Sequence, residues 1–280
     1  MEKLRKRIQH LKKKRPGYTE ILNFYQQVRE EQEKIKDSLK VEPVHLKKEW
    51  KELLAREGFS MLERKDFPVD LEASSLLFHS LCNIAKEATP HMAEQVEKIR
   101  EVISQKRFDL KKVFTGEIEG EKVADQFEMD RKVFLFLLHE SLKPSLEEGV
   151  KRLGQEVDAE TWLKGHCPIC GSLPSFALLK GEGGKRYLLC SYCGFEWRID
   201  RLSCPFCGNK ERGSLQYFYA EGEEAYRIDL CEKCHQYIKT IDLRKIEECE
   251  PILEDVATLH LDILASQKGY NRPVPNPWTS

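Results

Sequence analysis

The chain has 280 residues, of which 40% are hydrophobic and 33% are charged, and its formal net charge is -1. This apolar share is sufficient for a hydrophobic core and excludes disorder throughout, while the balanced charge argues against a generally basic nucleic-acid-binding protein. Because no apolar run approaches the ~20 residues that span a bilayer, we expect no membrane insertion.

The first 163 residues are predicted to form a helical domain. Apolar residues recur there at helical spacing, as in the run Leu77, Leu81 and Ile84, which Pro90 ends. Patterns of this kind predict about five to seven helices, with connections of ordinary length, and favour a bundle or an orthogonal array.

The segment from Val133 to Leu142 is more fully apolar and predicts one of these helices. Asp130 is placed to cap its first turn. Pro144 is expected to end it, because proline lacks the backbone N–H group that continues a helix.

The composition changes near Leu163–Gly165, where we place the end of the helical domain. Nine of the ten cysteines lie between Cys167 and Cys249, and Cys82 is alone in the first half. The N-terminal segment lacks the apolar core of a secretory signal, so we expect a cytoplasmic protein. In that reducing compartment, clustered cysteines indicate metal ligands or redox groups rather than structural disulfides.

Eight of these cysteines form four C-x-x-C pairs, with gaps of 19, 10 and 23 residues between the pairs. The two long gaps favour consecutive pairing, since both fit or slightly exceed the spacing of a metal-binding ribbon. Two intervening residues let one turn aim both sulfurs at a single ion. The sequence therefore predicts two metal sites, one made by Cys167, Cys170, Cys190 and Cys193 and the other by Cys204, Cys207, Cys231 and Cys234.

The turns around the pairs have the composition of metal-binding knuckles. The motif CPICG recurs as CPFCG, and glycine follows the second cysteine in three of the four pairs. In the fourth pair His235 takes this place. Glycine is favoured here because a left-handed backbone conformation costs it little.

The identity of the metal stays open at this stage, because four thiolates suit zinc and iron equally. A structural ion is the simpler interpretation, since a small ribbon depends on its ion for folding. Residues 167–239 contain 10 Lys or Arg and 9 Asp or Glu. Two divalent ions bound by thiolates would add about -4 to this region, which opposes binding to nucleic acid.

The second half of the chain is predicted to contain short strands and a final helix. Apolar and polar residues alternate over 195–199 and 226–230, as in half-buried strands. A helix is predicted from Pro251 to about Lys268, and the proline-rich tail after it should be extended. The predicted fold is α+β, with a helical domain at 1–163, two rubredoxin-like or zinc-ribbon-like modules at 164–200 and 201–245, and a C-terminal helix and tail at 246–280.

Four segments follow one another in this region: CPICGSLP, CSYCGFEWRIDRLSCPFCGN, YRIDLCEKCHQYIK and EDVATLHLDILASQKGYNRPVPNPW. In this order they resemble the FdhE family, the formate dehydrogenase accessory proteins. The resemblance covers about residues 165 to 280, while the helical first half carries few diagnostic residues.

The resemblance implies a cytoplasmic, non-catalytic assembly factor that binds the catalytic subunit of a molybdenum- or tungsten-containing formate dehydrogenase. It also implies knuckles similar to those of rubredoxin, with iron at the cysteines. Two other functions stay open: a redox or electron-transfer protein with two Fe(Cys)4 centres, and a double zinc ribbon that binds nucleic acid. The oligomeric state is open as well.

Overall fold

The computed structural model describes residues 1–44, 47–246 and 249–278. The helical character of the first half is confirmed, and Asp130 caps the helix Arg131–Leu153 as predicted, since its Oδ1 accepts the backbone N–H of Val133 at 3.1 Å. The helices that the structure shows in this half exceed the predicted number because two of them, Leu110–Phe114 and Gly120–Gln126, are too short for a repeat to be visible. They are α1 Glu2–Lys14, α2 Thr19–Ile35, α3 Lys48–Glu57, α4 Leu71–Lys86, α5 Pro90–Ser104, α6 Leu110–Phe114, α7 Gly120–Gln126 and α8 Arg131–Leu153.

Pro144 lies inside α8, so the prediction that it ends this helix is wrong. A proline within a helix leaves the carbonyl group four residues earlier, here that of Glu140, without its usual donor. Gln32 on α2 supplies the missing donor: its Nε2 donates to the backbone oxygen of Glu140 at 2.8 Å and to the side-chain Oε2 at 2.9 Å. Both residues are buried. A side chain from another helix thus compensates for the proline.

Replacing Gln32 with leucine is expected to lower the free energy of unfolding of the helical unit by about 2 kcal/mol, because a buried carbonyl and a buried carboxylate both lose a donor. Burial alone would raise the pKa of Glu140, but Lys143, His139 and Gln32 hold that pKa below its usual range, so the carboxylate is charged. Urea denaturation measures the change. Leucine at the exposed Gln27 is the matched control and should shift stability by less than about 0.5 kcal/mol. Equal stability of the two variants would contradict the assignment.

The second half contains a six-stranded sheet in the order β3-β2-β1-β6-β5-β4. Neighbouring strands are antiparallel within β1–β3 and within β4–β6, and the parallel pair β1 and β6 joins the two halves. Trp197 and Ile228, from the two predicted alternating segments, are both fully buried, which confirms these strands and the α+β class. The strands are β1 Pro174–Lys180, β2 Lys185–Cys190, β3 Glu196–Ile199, β4 Leu215–Phe218, β5 Tyr226–Cys231 and β6 Gln236–Asp242.

The predicted C-terminal helical segment is confirmed, but it divides into α9 Pro251–Val256 and α10 Leu259–Gln267. At the break, the backbone oxygens of Asp255 and Thr258 accept hydrogen bonds from Lys239 Nζ at 3.3 and 3.1 Å. Lys239 lies on β6 and is fully buried. The helix is interrupted where a buried ammonium group needs acceptors.

Contacts divide the described residues into two units. The helical unit takes in 1–44, 63–149 and 277–278, and the sheet-bearing unit takes in 47–62, 150–246 and 249–276. The domain boundaries at residues 163, 200 and 245 stay a prediction. Over the residues described, none of the helices has both the length and the apolar character required to cross a membrane.

Candidate metal centres

The first four-cysteine cluster lies in the β1–β3 half of the sheet. Cys167 and Cys170 belong to the turn before β1, Cys190 ends β2, and Cys193 lies in the turn that leads to β3. The Sγ atom of Cys170 is 3.4 Å from that of Cys190 and 3.5 Å from that of Cys193, and the sulfurs of Cys167 and Cys193 are 3.7 Å apart. All four side chains are buried. The structure thus brings together the four cysteines grouped from the sequence.

The second cluster repeats this arrangement in the β4–β6 half. Cys204 and Cys207 lie in the turn before β4, Cys231 ends β5, and Cys234 lies in the turn between β5 and β6. The sulfurs of Cys204 and Cys234 are 3.7 Å apart, and those of Cys207 and Cys231 are 3.6 Å apart. The ligand atoms of each cluster lie within 4.8 Å of one another.

Three of the four knuckles share one backbone geometry. Gly171 and Gly208 have φ angles of +72° and +70°, and their N–H groups donate to the carbonyl oxygens of the first cysteines of their pairs at 2.9 and 3.0 Å. His235 has a φ of +52° and makes the same bond, to the Cys231 oxygen at 2.9 Å. The histidine therefore keeps the turn that glycine makes elsewhere, at the cost of a left-handed conformation in a residue with a side chain.

The geometry of both clusters fits a tetrahedral metal ion. With metal–sulfur distances of about 2.3 Å, the sulfurs of a tetrahedron lie about 3.8 Å apart, close to the separations found here. Burial raises the pKa of the Cys167 and Cys204 thiols. Four thiolates in such an environment need a cation to balance them. Either zinc or iron would meet this requirement, since both accept four sulfur ligands.

Polar side chains around the clusters were missed by the sequence analysis. Asn209 is buried, and its Nδ2 approaches the Cys231 sulfur at 3.6 Å and donates to Ser214 Oγ at 2.7 Å. The hydroxyl of Ser172 lies 3.3 Å from the Cys170 sulfur. Such contacts orient ligands and tune a metal site. In the sequence, Ser172 and Asn209 share one feature: each lies two residues after the second cysteine of a pair. This position alone does not predict that their side chains contact a sulfur.

Side chains from β6, α9, α10 and the tail form a buried ion cluster. We define it as Tyr237, Lys239, Asp255, Asp262 and Arg272. Lys239 Nζ donates to Asp255 Oδ1 at 2.7 Å and to Asp262 Oδ2 at 2.6 Å. Arg272 donates to the same two carboxylates at 2.9 to 3.1 Å, and the Tyr237 hydroxyl donates to Asp262 Oδ1 at 2.9 Å. Burial alone would raise the pKa of Asp255, but Arg272 and Lys239 outweigh it and lower that pKa. Two cations therefore balance two anions.

The ion cluster connects the chain's tail to the fourth knuckle. Asn271 donates its backbone N–H to the His235 oxygen at 2.9 Å and accepts the N–H of Tyr237 at 3.0 Å, so the tail runs beside β6. Arg272 follows directly and enters the ion cluster. The tail thus forms part of the support of the second cluster.

Three further residues, Cys82, Cys249 and His166, belong to neither four-cysteine cluster. Cys82 is fully buried on α4, as expected for a small apolar residue, and burial raises the pKa of its thiol to about 12. Cys249 is partly buried against the core of the sheet-bearing unit. The imidazole Nε2 of His166 lies 3.2 Å from the backbone oxygen of Gly58, and burial lowers the pKa of this histidine.

Comparison with known proteins assigns the family. Residues 166–201 match the family model described as FdhE, central domain, and residues 202–279 match that described as FdhE, C-terminal domain. The Protein FdhE homolog of Aquifex aeolicus is 32% identical over 268 residues, which cover 94% of this chain and 90% of the relative. The homolog from Stutzerimonas stutzeri is 37% identical over 114 residues, or 39% of this chain and 37% of the relative.

The fold comparison agrees. The crystal structure of the FdhE protein from Pseudomonas aeruginosa superposes with a TM-score of 0.69, covering 99% of this chain and 94% of that one at 21% identity, which shows a shared fold. Together with the identity to the Aquifex aeolicus relative over nearly the full length, these matches show that the chain belongs to the FdhE family.

Proposed function

We propose that this chain is an accessory protein in the maturation of formate dehydrogenase and that it acts in the cytoplasm by binding the catalytic subunit of that enzyme. Family membership is the observation that carries the proposal, because the match to a relative extends over 94% of the chain. The helical unit is therefore included in the match as well as the cysteine-rich region, and the function is proposed for the whole chain.

Two metal ions, of iron or zinc, are proposed at the eight clustered cysteines. The sulfur separations and the donor set support this assignment. Each ion would be held by Cys167, Cys170, Cys190 and Cys193 or by Cys204, Cys207, Cys231 and Cys234. Elemental analysis of the fully loaded protein should give two equivalents of iron plus zinc.

The chain is proposed not to be an enzyme. A site with four protein sulfurs leaves no open position for water or substrate, whereas catalytic metal sites keep one. In the proposed role the ions stabilise the sheet-bearing unit, and the surface of the folded chain contacts the client.

The proposal is tested in a strain that lacks this chain and any paralogue. Active formate dehydrogenase is expected to fall to a small fraction of its wild-type level, while the transcript of the catalytic subunit changes little. The returned wild-type gene should restore activity. Normal enzyme activity in the deletion strain would refute the functional proposal and leave the metal sites standing.

One observation favours a second function, that of a redox protein. Cys207 of the second cluster is exposed, and an Fe(Cys)4 centre near the surface could exchange electrons with a client. Anaerobically purified protein would then contain iron, and its visible spectrum would bleach reversibly on reduction. Protein that carries only zinc when isolated from iron-replete cells would exclude this function, because zinc has no redox chemistry.

A further inference from the structure

The two four-cysteine clusters differ in how well their sulfurs are shielded from solvent. The side chains of the first cluster are exposed by 4% or less. In the second cluster Cys204 and Cys231 are buried, but Cys234 is half-buried and Cys207 is exposed. Since ligand exchange at a thiolate depends on access to the sulfur, this difference predicts different reactivities.

Met61 and Leu62, which we call the strap, are hydrogen-bonded to the first knuckle of the first cluster. The N–H groups of Met61 and Leu62 donate to the backbone oxygens of Pro168 and Ile169, both at 2.8 Å. These two carbonyl groups belong to the turn between Cys167 and Cys170. Leu62 is itself buried. These contacts therefore restrain the backbone of a knuckle whose cysteines are buried.

The second cluster instead borders a small positively charged cavity. The cavity has a volume of about 70 Å³, and Cys204 and Cys231 line it together with three arginines and Asp229. Arg186 is buried, pairs with Asp229 at 3.1 Å, and donates Nη1 to the Ser203 oxygen at 2.8 Å. The other two arginines are Arg201 and Arg227.

The cavity carries a positive charge, whereas a metal ion bound by four thiolates carries a negative one. Three arginines and one aspartate give a net charge of +2 beside the sulfurs. A divalent ion with four thiolates carries about -2 and would repel an anionic ligand. The arginines would partly offset this repulsion for a ligand near Cys204 and Cys231, the two cysteines of the cluster that line the cavity. Arg201 is the exposed member and donates to the Gly183 oxygen at 3.0 Å.

We propose that the second cluster is an exchange site for external thiol ligands, whereas the first cluster is structural. The inference rests on the metal binding proposed above. In the exchange step the incoming thiol gives up its proton and its sulfur takes the place of the Cys207 sulfur. Cys207 leaves as the thiolate and takes up one proton. No electrons are transferred, and the oxidation state of the metal is unchanged.

The test uses the full chain loaded with two equivalents of zinc and treated with excess glutathione, with a colorimetric chelator to record released zinc. Two phases of one equivalent each are expected, and the faster should exceed the slower by about tenfold or more because access controls thiolate exchange. Pulsed alkylation followed by mass spectrometry identifies the cysteines freed in each phase. Those of the second cluster, with Cys207 first, should be labelled in the fast phase.

Arg201→Gln tests the role of the cavity. This variant should slow the fast phase by roughly twofold, the order of effect of removing one solvated positive charge near the site, and should leave the slow phase unchanged. Arg212→Gln removes an exposed arginine that does not line the cavity, and it should change neither phase. With uncharged 2-mercaptoethanol in place of glutathione, the effect of Arg201→Gln should become smaller.

Several results would count against the inference. Equal release rates from two filled clusters, or earlier labelling of the first cluster, would show that exposure does not set exchange, while the metal sites themselves would stand. An equal effect of Arg201→Gln and Arg212→Gln would show that the charge of the cavity does not influence exchange and would overturn the role assigned to the cavity. A second cluster that takes up no zinc would overturn this inference together with the proposed metal content, but not the proposed binding of a client.

Discussion

Serine in place of both Cys167 and Cys170 is expected to reduce the metal content from two equivalents to one and to destabilise the sheet-bearing unit severely. Structural zinc supplies about 10–16 kcal/mol of folding free energy in small zinc-finger peptides, comparable to the ~5–15 kcal/mol stability of a whole domain. Loss of even a third of this would lower the midpoint of thermal unfolding by about 10 °C. Elemental analysis and a thermal melt of the purified variant measure the two effects.

The second ion should remain in this variant, because Cys204, Cys207 and their partners come from the β4–β6 half of the sheet. Cys249→Ser is the matched control, since it removes a cysteine outside both clusters and should retain two equivalents. If both ions leave while the sheet stays folded, or if both are retained, the grouping of the cysteines as ligands is wrong.

Asp255→Asn is expected to lower the free energy of unfolding of the sheet-bearing unit by about 3–5 kcal/mol. The substitution keeps the shape of the side chain but removes one of the two anions that balance Lys239 and Arg272. Lys239 is fully buried and Arg272 nearly so, so neither cation can recover its charge balance from water. Chemical denaturation of the metal-loaded protein, followed by tryptophan fluorescence, to which the buried Trp197 contributes, measures the loss.

The matched control for this substitution is Asp200→Asn. Asp200 pairs with Lys210 at 2.6 Å, but both side chains are well exposed, so the change should stay within about 1 kcal/mol. A loss of similar size at the two positions would show that the ion cluster does not stabilise the fold. The metal content should stay at two equivalents in both variants, which separates this prediction from the previous one.

The cysteine clusters could be predicted from the sequence because their chemistry is local. Two residues between cysteines, and a glycine after them, specify a knuckle without knowledge of the rest of the chain. The alternation in 226–230 likewise identified β5 before its neighbours were known. The parallel pairing of β1 with β6 could not be predicted in the same way, since it joins residues such as Phe176 and Lys239 that are distant in the chain.

Buried polar contacts account for most of what the sequence did not reveal. Pro144 stays inside a helix because Gln32, more than 100 residues away, donates to the carbonyl it would otherwise leave unpaired. Lys239 in a strand gives no sign that two carboxylates and an interrupted helix will surround it. The resemblance to the FdhE family included the segments that carry Lys239, Asp255 and Arg272, but only the structure shows that these residues meet.

Co-purification is the best measurement of the proposed binding of the catalytic subunit of formate dehydrogenase. Affinity-tagged full-length chain is isolated from cells that express the enzyme, and the catalytic subunit in the eluate is quantified by mass spectrometry against an untagged control. We predict that the wild-type chain and Cys249→Ser recover the subunit, while serine at both Cys167 and Cys170 recovers much less of it. Absence of the subunit from the wild-type eluate, in cells where it is abundant, would refute the proposed binding.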